Sequence, residues 1–162
     1  MMPAQIETQL VEELLAATRD VFKTMVFHDV ATSSPVPGDG VRTGANVVGT
    51  VAFAGKTSGL VVFYSTLEGA RAITASMLGI DRASVNGELP DAIGELTNMI
   101  AGSFRTRMAE ARGEAWAISV PTVTVGSDFY TKYVSDVKRV LCPFKMGNAE
   151  LFVELIVTRN AG

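Results

Sequence analysis

Glu95 and Asn98 stand one helical turn apart, with Asp91 a turn before them and Pro121 downstream, in the spacing D-x3-E-x2-N-x22-P. A carboxylate and a carboxamide at i and i+3 share one side of a helix. An ionised carboxylate only accepts hydrogen bonds. A carboxamide donates and accepts, so it can hold a water molecule without taking its proton. Chemistry of this kind works by positioning rather than by attack. It requires that the two side chains face outward, because facing the core they would be ordinary buried polar groups in need of partners.

Periodicity decides the matter. The run from Leu89 to Arg112 is rich in helix formers, with Pro90 suited to a first turn and Gly113 to a stop. At roughly 100° per residue, Ile93, Leu96, Ile100, Phe104 and Met108 gather on one side. Asp91, Glu95, Asn98, Gly102 and Arg105 fall opposite, within roughly 40° of a common line. The apolar stripe holds the helix down and the polar stripe is presented to solvent or a partner. Gly102 is the odd choice there, since an exposed glycine inside a helix costs about 1 kcal/mol relative to alanine. It points to a close approach by another molecule.

The distance to Pro121 follows from one helix and one returning strand. From Asn98 to Arg112 a helix climbs about 21 Å. A turn at Gly113-Glu114 and seven extended residues cover about 23 Å, which returns Pro121 to about the level of Asn98. Proline sits readily at the entry of a strand, so Pro121 is read as scaffold.

Asp91, Glu95, Asn98 and Pro121 together resemble the phosphatase signature of the CheC/CheX/FliY family of bacterial chemotaxis proteins, written D/S-x3-E-x2-N-x22-P. The resemblance covers residues 91–121, and chain length and element order are also similar to CheX. It implies a phosphatase that hydrolyses the aspartyl phosphate of a response-regulator receiver, with Asn98 orienting the attacking water. Glu95 then pairs with the receiver's lysine and sets the depth of insertion, and Asp91 extends the acidic edge. The receiver brings the phosphoryl group and its Mg2+, so no cofactor of the chain's own is expected. Helix phase, not the signature, adds Gly102 and Arg105 as residues flanking the contact. CheC-like members carry two motifs. Here the first helix reads Glu12-Glu13-Leu14-Leu15-Ala16, with alanine where an asparagine is needed, so a single CheX-like site is expected. A site that only docks receivers or motor components, without catalysis, stays open as the alternative. A small-ligand-binding domain is a third reading; it requires an apolar pocket near residues 31–46, which nothing in the sequence demands.

The remaining elements frame that helix. Residues 4–27 predict an amphipathic helix with Ile6, Leu10, Leu14, Ala17, Val21 and Met25 on one face. Residues 32–40 read as an internal loop. A hairpin of strands, 47–54 and 58–65, precedes a helix over 67–79 ended by Gly79. Strands are predicted at 116–126, 136–145 and 149–158, the last two joined through Met146-Gly147-Asn148. Hairpin-like neighbours dominate, which predicts an α+β fold with a mostly antiparallel sheet covered by helices. The family resemblance adds a homodimer formed through the sheets.

At 162 residues the chain suits one domain. A net charge of −3, with no Lys/Arg stripe, argues against nucleic acid. No leader-like or membrane-spanning run is visible, and the expected location is cytoplasmic. The single histidine, His28, leaves almost no material for metal clusters or triads and suits the end of the first helix. Cys142, the only cysteine, reads as buried and inert. Met99 and Met108 read as core. Gly38-Asp39-Gly40 lacks the lysine and setting of a phosphate loop. The aromatic segment 129–133 between Asp128 and Asp136 reads as a strand connection.

Overall fold

The computed structural model describes residues 6–37, 44–127 and 136–158. The Gly38-Asp39-Gly40 stretch, the segment 129–133 and residues 4–5 of the predicted first helix lie outside the described residues. Leu10, Leu14, Ala17 and Val21 recur at helical spacing and form the buried face of α1 (Thr8–Val21). The predicted helix ran to residue 27, but Phe22–Val26 forms a π-helical turn instead. A π turn repeats at five residues, which lets Val21 and Val26 both face the core.

Phe27 closes this turn in the left-handed region at φ 62° and is 71% exposed. The backbone N–H of His28, rather than its side chain, reaches Phe22 O at 3.2 Å. A left-handed phenylalanine is strained, whereas asparagine tolerates the conformation. Phe27→Asn is therefore expected to stabilise the fold by up to about 1 kcal/mol, read as a raised thermal midpoint. A lowered midpoint would mean that contacts of the ring outweigh the strain.

β1 (Ala31–Thr32) and β2 (Val36–Pro37) are short strands within what the sequence presents as a loop. Both pair with the later strand Val137–Met146, and their brevity and the nearby prolines hid them. β3 (Val47–Ala54) and β4 (Gly59–Ser65) form the expected hairpin. Thr66 caps α2 (Leu67–Leu78) by accepting from Gly69 N–H at 3.1 Å, and Gly79 ends it at φ 66°. The long α3 (Leu89–Arg112) has the predicted bounds and is closed by left-handed Gly113. The strand expected over 116–126 is broken at Ser119-Val120-Pro121 into β5 (Ala117–Ile118) and β6 (Thr122–Val125). β7 (Val137–Met146) and β8 (Ala149–Thr158) turn at left-handed Gly147.

These strands make one eight-stranded antiparallel sheet in the order β1-β7-β8-β4-β3-β5, with β2 also on β7 and β6 also on β3. This is the α+β arrangement that the element pattern predicts. The three helices bury one face of the sheet, with Val51, Phe63, Val153 and Cys142 facing Ile73, Ile93 and Phe104 in a single core. Burial, with Glu154 adding to it, pushes the Cys142 thiol up to about 12, so it stays protonated and unreactive at neutral pH. On the opposite face, buried Glu154 accepts from Tyr64 Oη at 2.6 Å and from Arg139 Nε at 2.8 Å.

Candidate functional site

Ile93, Leu96, Ile100, Phe104 and Met108 are all fully buried, so the apolar stripe of α3 does anchor it. The opposite stripe consequently faces out. Asp91 and Glu95 are exposed, and Asn98, Gly102 and Arg105 are half-exposed. All five predicted residues therefore share one outward face. Nothing approaches within 4 Å of where a Cβ would sit on Gly102, leaving the middle of the stripe open. Met99 is partly buried against the core, as expected.

The helix is clamped along both flanks. On one side Arg107 bridges Glu13 (3.6 Å) and Asp20 of α1. Arg112 pairs with Glu7, the residue just before α1, and with buried Glu114, Nε to Oε2 at 2.7 Å. By contrast, the side chains of Glu95, Asn98 and Arg105 make no hydrogen bond or ion pair among the described residues. The stripe is polar, fixed at the backbone and uncommitted. At the start of α3, Asn86 N–H donates to Glu88 Oε2 at 2.8 Å, and this bond holds the Glu88 carboxyl below its ordinary value.

On the other flank lies the returning chain. Trp116 stacks on Phe53 with ring centroids 4.6 Å apart and meets Phe104 edge-on at 5.1 Å. Thr57 Oγ1 donates to Glu114 Oε1 at 2.9 Å. These contacts pin the turn after Gly113, and from there Pro121 comes back against Gly94. Its Cγ lies 3.6 Å from where a Cβ of Gly94 would be, with Val123 Cγ2 at 3.4 Å. Pro121 was expected level with Asn98 and sits one turn lower. Eight extended residues from Gly113 span about 26 Å, matching about 27 Å of helix from Gly94 to Arg112.

Two supports escaped the sequence reading. Gly49 of β3 lies under Thr97, whose Oγ1 is 2.2 Å from where a glycine Cβ would stand. Thr97 in turn donates to Ile93 O at 2.7 Å. A glycine among the β-branched residues Val47, Val48, Thr50 and Val51 was the available signal for such an approach. The other is the bridge 119–121, which a continuous strand pattern concealed.

Among the described residues, no group of three or more His, Cys, Asp or Glu is placed to hold a metal ion. Nor is any described helix long and apolar enough to cross a membrane.

Similarity to known proteins agrees with this geometry. Residues 47–145 match the family described as chemotaxis phosphatase CheX. The fold superposes on the chemotaxis protein CheX of Vibrio vulnificus with a TM-score of 0.83 at 25% identity, covering 93% of this chain and 99% of that one. The CheX of Desulfovibrio desulfuricans gives 0.82 at 25% identity, covering 92% and 99%. The CheX–CheY–BeF3–Mg2+ complex from Borrelia burgdorferi gives 0.74 at 20% identity, covering 93% and 98%. No curated protein sequence gives a significant match. The family match takes in the β3–β4 hairpin and the whole of α3, and the chain belongs to the CheX family of chemotaxis phosphatases.

Proposed function

We propose that this chain hydrolyses the aspartyl phosphate of a response-regulator receiver, using the outward face of α3. The observation that carries the reading is the uncommitted state of Glu95 and Asn98 on the outward face of a helix whose Arg107 and Arg112 are paired with carboxylates elsewhere. Asn98 holds a water in line with the scissile bond. Its oxygen attacks phosphorus, the P–O bond to the receiver's aspartate breaks, and the carboxylate leaves with the bonding electron pair. The water's proton passes to a phosphate oxygen, giving inorganic phosphate. Positioning of this kind suits phosphoryl transfer, whose transition state asks for alignment and charge stabilisation.

Glu95 pairs with the receiver's lysine and sets the depth of docking, with Asp91 extending the acidic edge. Gly102 lets the receiver approach the helix, and Arg105 contacts its rim. Mg2+ arrives with the receiver. The complex of CheX with CheY, BeF3 and Mg2+ from Borrelia burgdorferi supports a receiver as the partner. The chain works as one domain over 1–162, in the cytoplasm. A homodimer formed through the sheets is part of the proposal.

The test is the decay of a phosphorylated receiver from the same organism, with and without this protein. Faster decay supports the proposal; binding without acceleration across a panel of receivers supports docking alone. Glu95→Lys is expected to raise the half-saturating receiver concentration about tenfold or more, by placing like charges opposite one another. An unchanged value would remove Glu95 from the contact.

A further inference from the structure

Val120 is 81% exposed, more than any other large apolar side chain described. A solitary exposed valine needs no explanation, but the way this one is held does. Ser119 N–H donates to Ala52 O at 2.8 Å, and Ser119 Oγ accepts from Ala52 N–H at 2.9 Å. The same hydroxyl lies 3.0 Å from Val120 O and donates to it. On the other side Pro121 rests on Gly94, the residue before Glu95. The backbone is thus tied on both sides of a side chain that the fold itself does not bury.

The position is continuous with the motif face. Acids Asp91 and Glu95 occupy the N-terminal half of the outward stripe and Arg105 the C-terminal half, while Ser119 to Val125 carries no charge. A partner fitting this surface presents a cation opposite Glu95 and, on the β6 side of it, an apolar side chain. Valine is stiff about its one side-chain torsion, so burying it on docking sacrifices little entropy.

We infer that Val120 is a recognition residue for the phosphorylated receiver, making the apolar contact beside the Glu95–lysine pair. The inference rests on the proposed phosphatase reading and adds a second point of contact that fixes the direction of docking. Val120 acts in binding and touches none of the reacting atoms.

The experiment is a titration of phosphorylated receiver with wild type, Val120→Asp, Val120→Ala and Val120→Ile, with binding followed in parallel. Loss of the valine's buried area raises the half-saturating concentration about threefold to tenfold for alanine, and beyond about tenfold for aspartate. The rate at saturation and the thermal midpoint stay at wild-type values, and isoleucine restores the affinity. Unchanged half-saturation and binding for Val120→Asp would overturn the inference while leaving the phosphatase standing. A wild type that binds the receiver without accelerating decay would remove the phosphatase reading. In that case weaker binding by Val120→Asp still supports the contact, and equal binding overturns it. No binding of the receiver by wild type would overturn both.

Discussion

Asn98→Ala is expected to lower the rate at saturating phosphorylated receiver by about 100-fold or more, on the scale of losing one positioned polar group from an active site. The thermal midpoint should barely move. Asn98 is half-exposed and its side chain makes no hydrogen bond among the described residues, so truncation orphans nothing. Surface changes of this type fall within about 0.5 kcal/mol. Half-saturation should also change little, because a water-holding group contributes mainly in the transition state. Asn98→Asp makes a sharper comparison. It keeps the shape but replaces the donating amide with a second anion facing a phosphoryl group, so it should be as inactive as alanine. Glu95→Lys differs in kind, acting on the concentration needed rather than on the saturated rate. A stopped-flow or radiolabel decay assay with all three variants separates the roles. Full turnover by Asn98→Ala would move the water-holding role elsewhere on the stripe.

The parts of this site legible beforehand were those written in periodicity. The bounds of α3 and the buried stripe from Ile93 to Met108 follow from 3.6-residue phase and from Pro90 and Gly113 at its ends. Strand β3 and the hairpin turn at Gly147 were equally plain. What stayed hidden depends on contacts between distant segments. No local pattern reveals that Ser119 clamps to Ala52 and breaks one strand into β5 and β6. The π turn at Phe22–Val26 is another case, since it rephases a helix whose apolar spacing reads as continuous. β1 and β2 exist only because β7 offers them an edge. The motif residues obey a rule along the chain. Their supports obey one across it.

Gly49 is the instance that supports the motif helix directly, and replacing it is expected to cost substantial stability. Val47, Val51 and Phe53 on the same strand face are fully or nearly fully buried beneath the helices. At Gly49 the strand has no side chain, and Thr97 of α3 takes the space, with its Cβ 3.2 Å from the vacant Cβ position. Thr97 is fully buried and its hydroxyl is committed to Ile93 O. It cannot swing aside without stranding a buried hydroxyl. Gly49→Val must therefore lift α3 or distort β3, with an overpacking cost of about 3 kcal/mol. For a chain of this size that lowers the thermal midpoint by about 6–12 °C. Gly49→Ala should be milder, since alanine is the better strand residue by about 0.5–1 kcal/mol before the clash is counted. Adding Thr97→Ala to Gly49→Ala should recover part of the loss, giving a coupling of about 1–2 kcal/mol in a double-mutant cycle. The change also reaches the chemistry. Thr97 adjoins Asn98, so lifting this turn shifts the proposed water-holding group relative to the bridge carrying Val120 and Pro121, and a displacement of about 1 Å can cost about 100-fold in rate. Gly49→Ala is thus expected to lose turnover out of proportion to its loss of folded protein at assay temperature. Wild-type midpoint and turnover in Gly49→Val would show that helix and strand do not meet there, and that something other than this contact sets the height of the motif above the sheet.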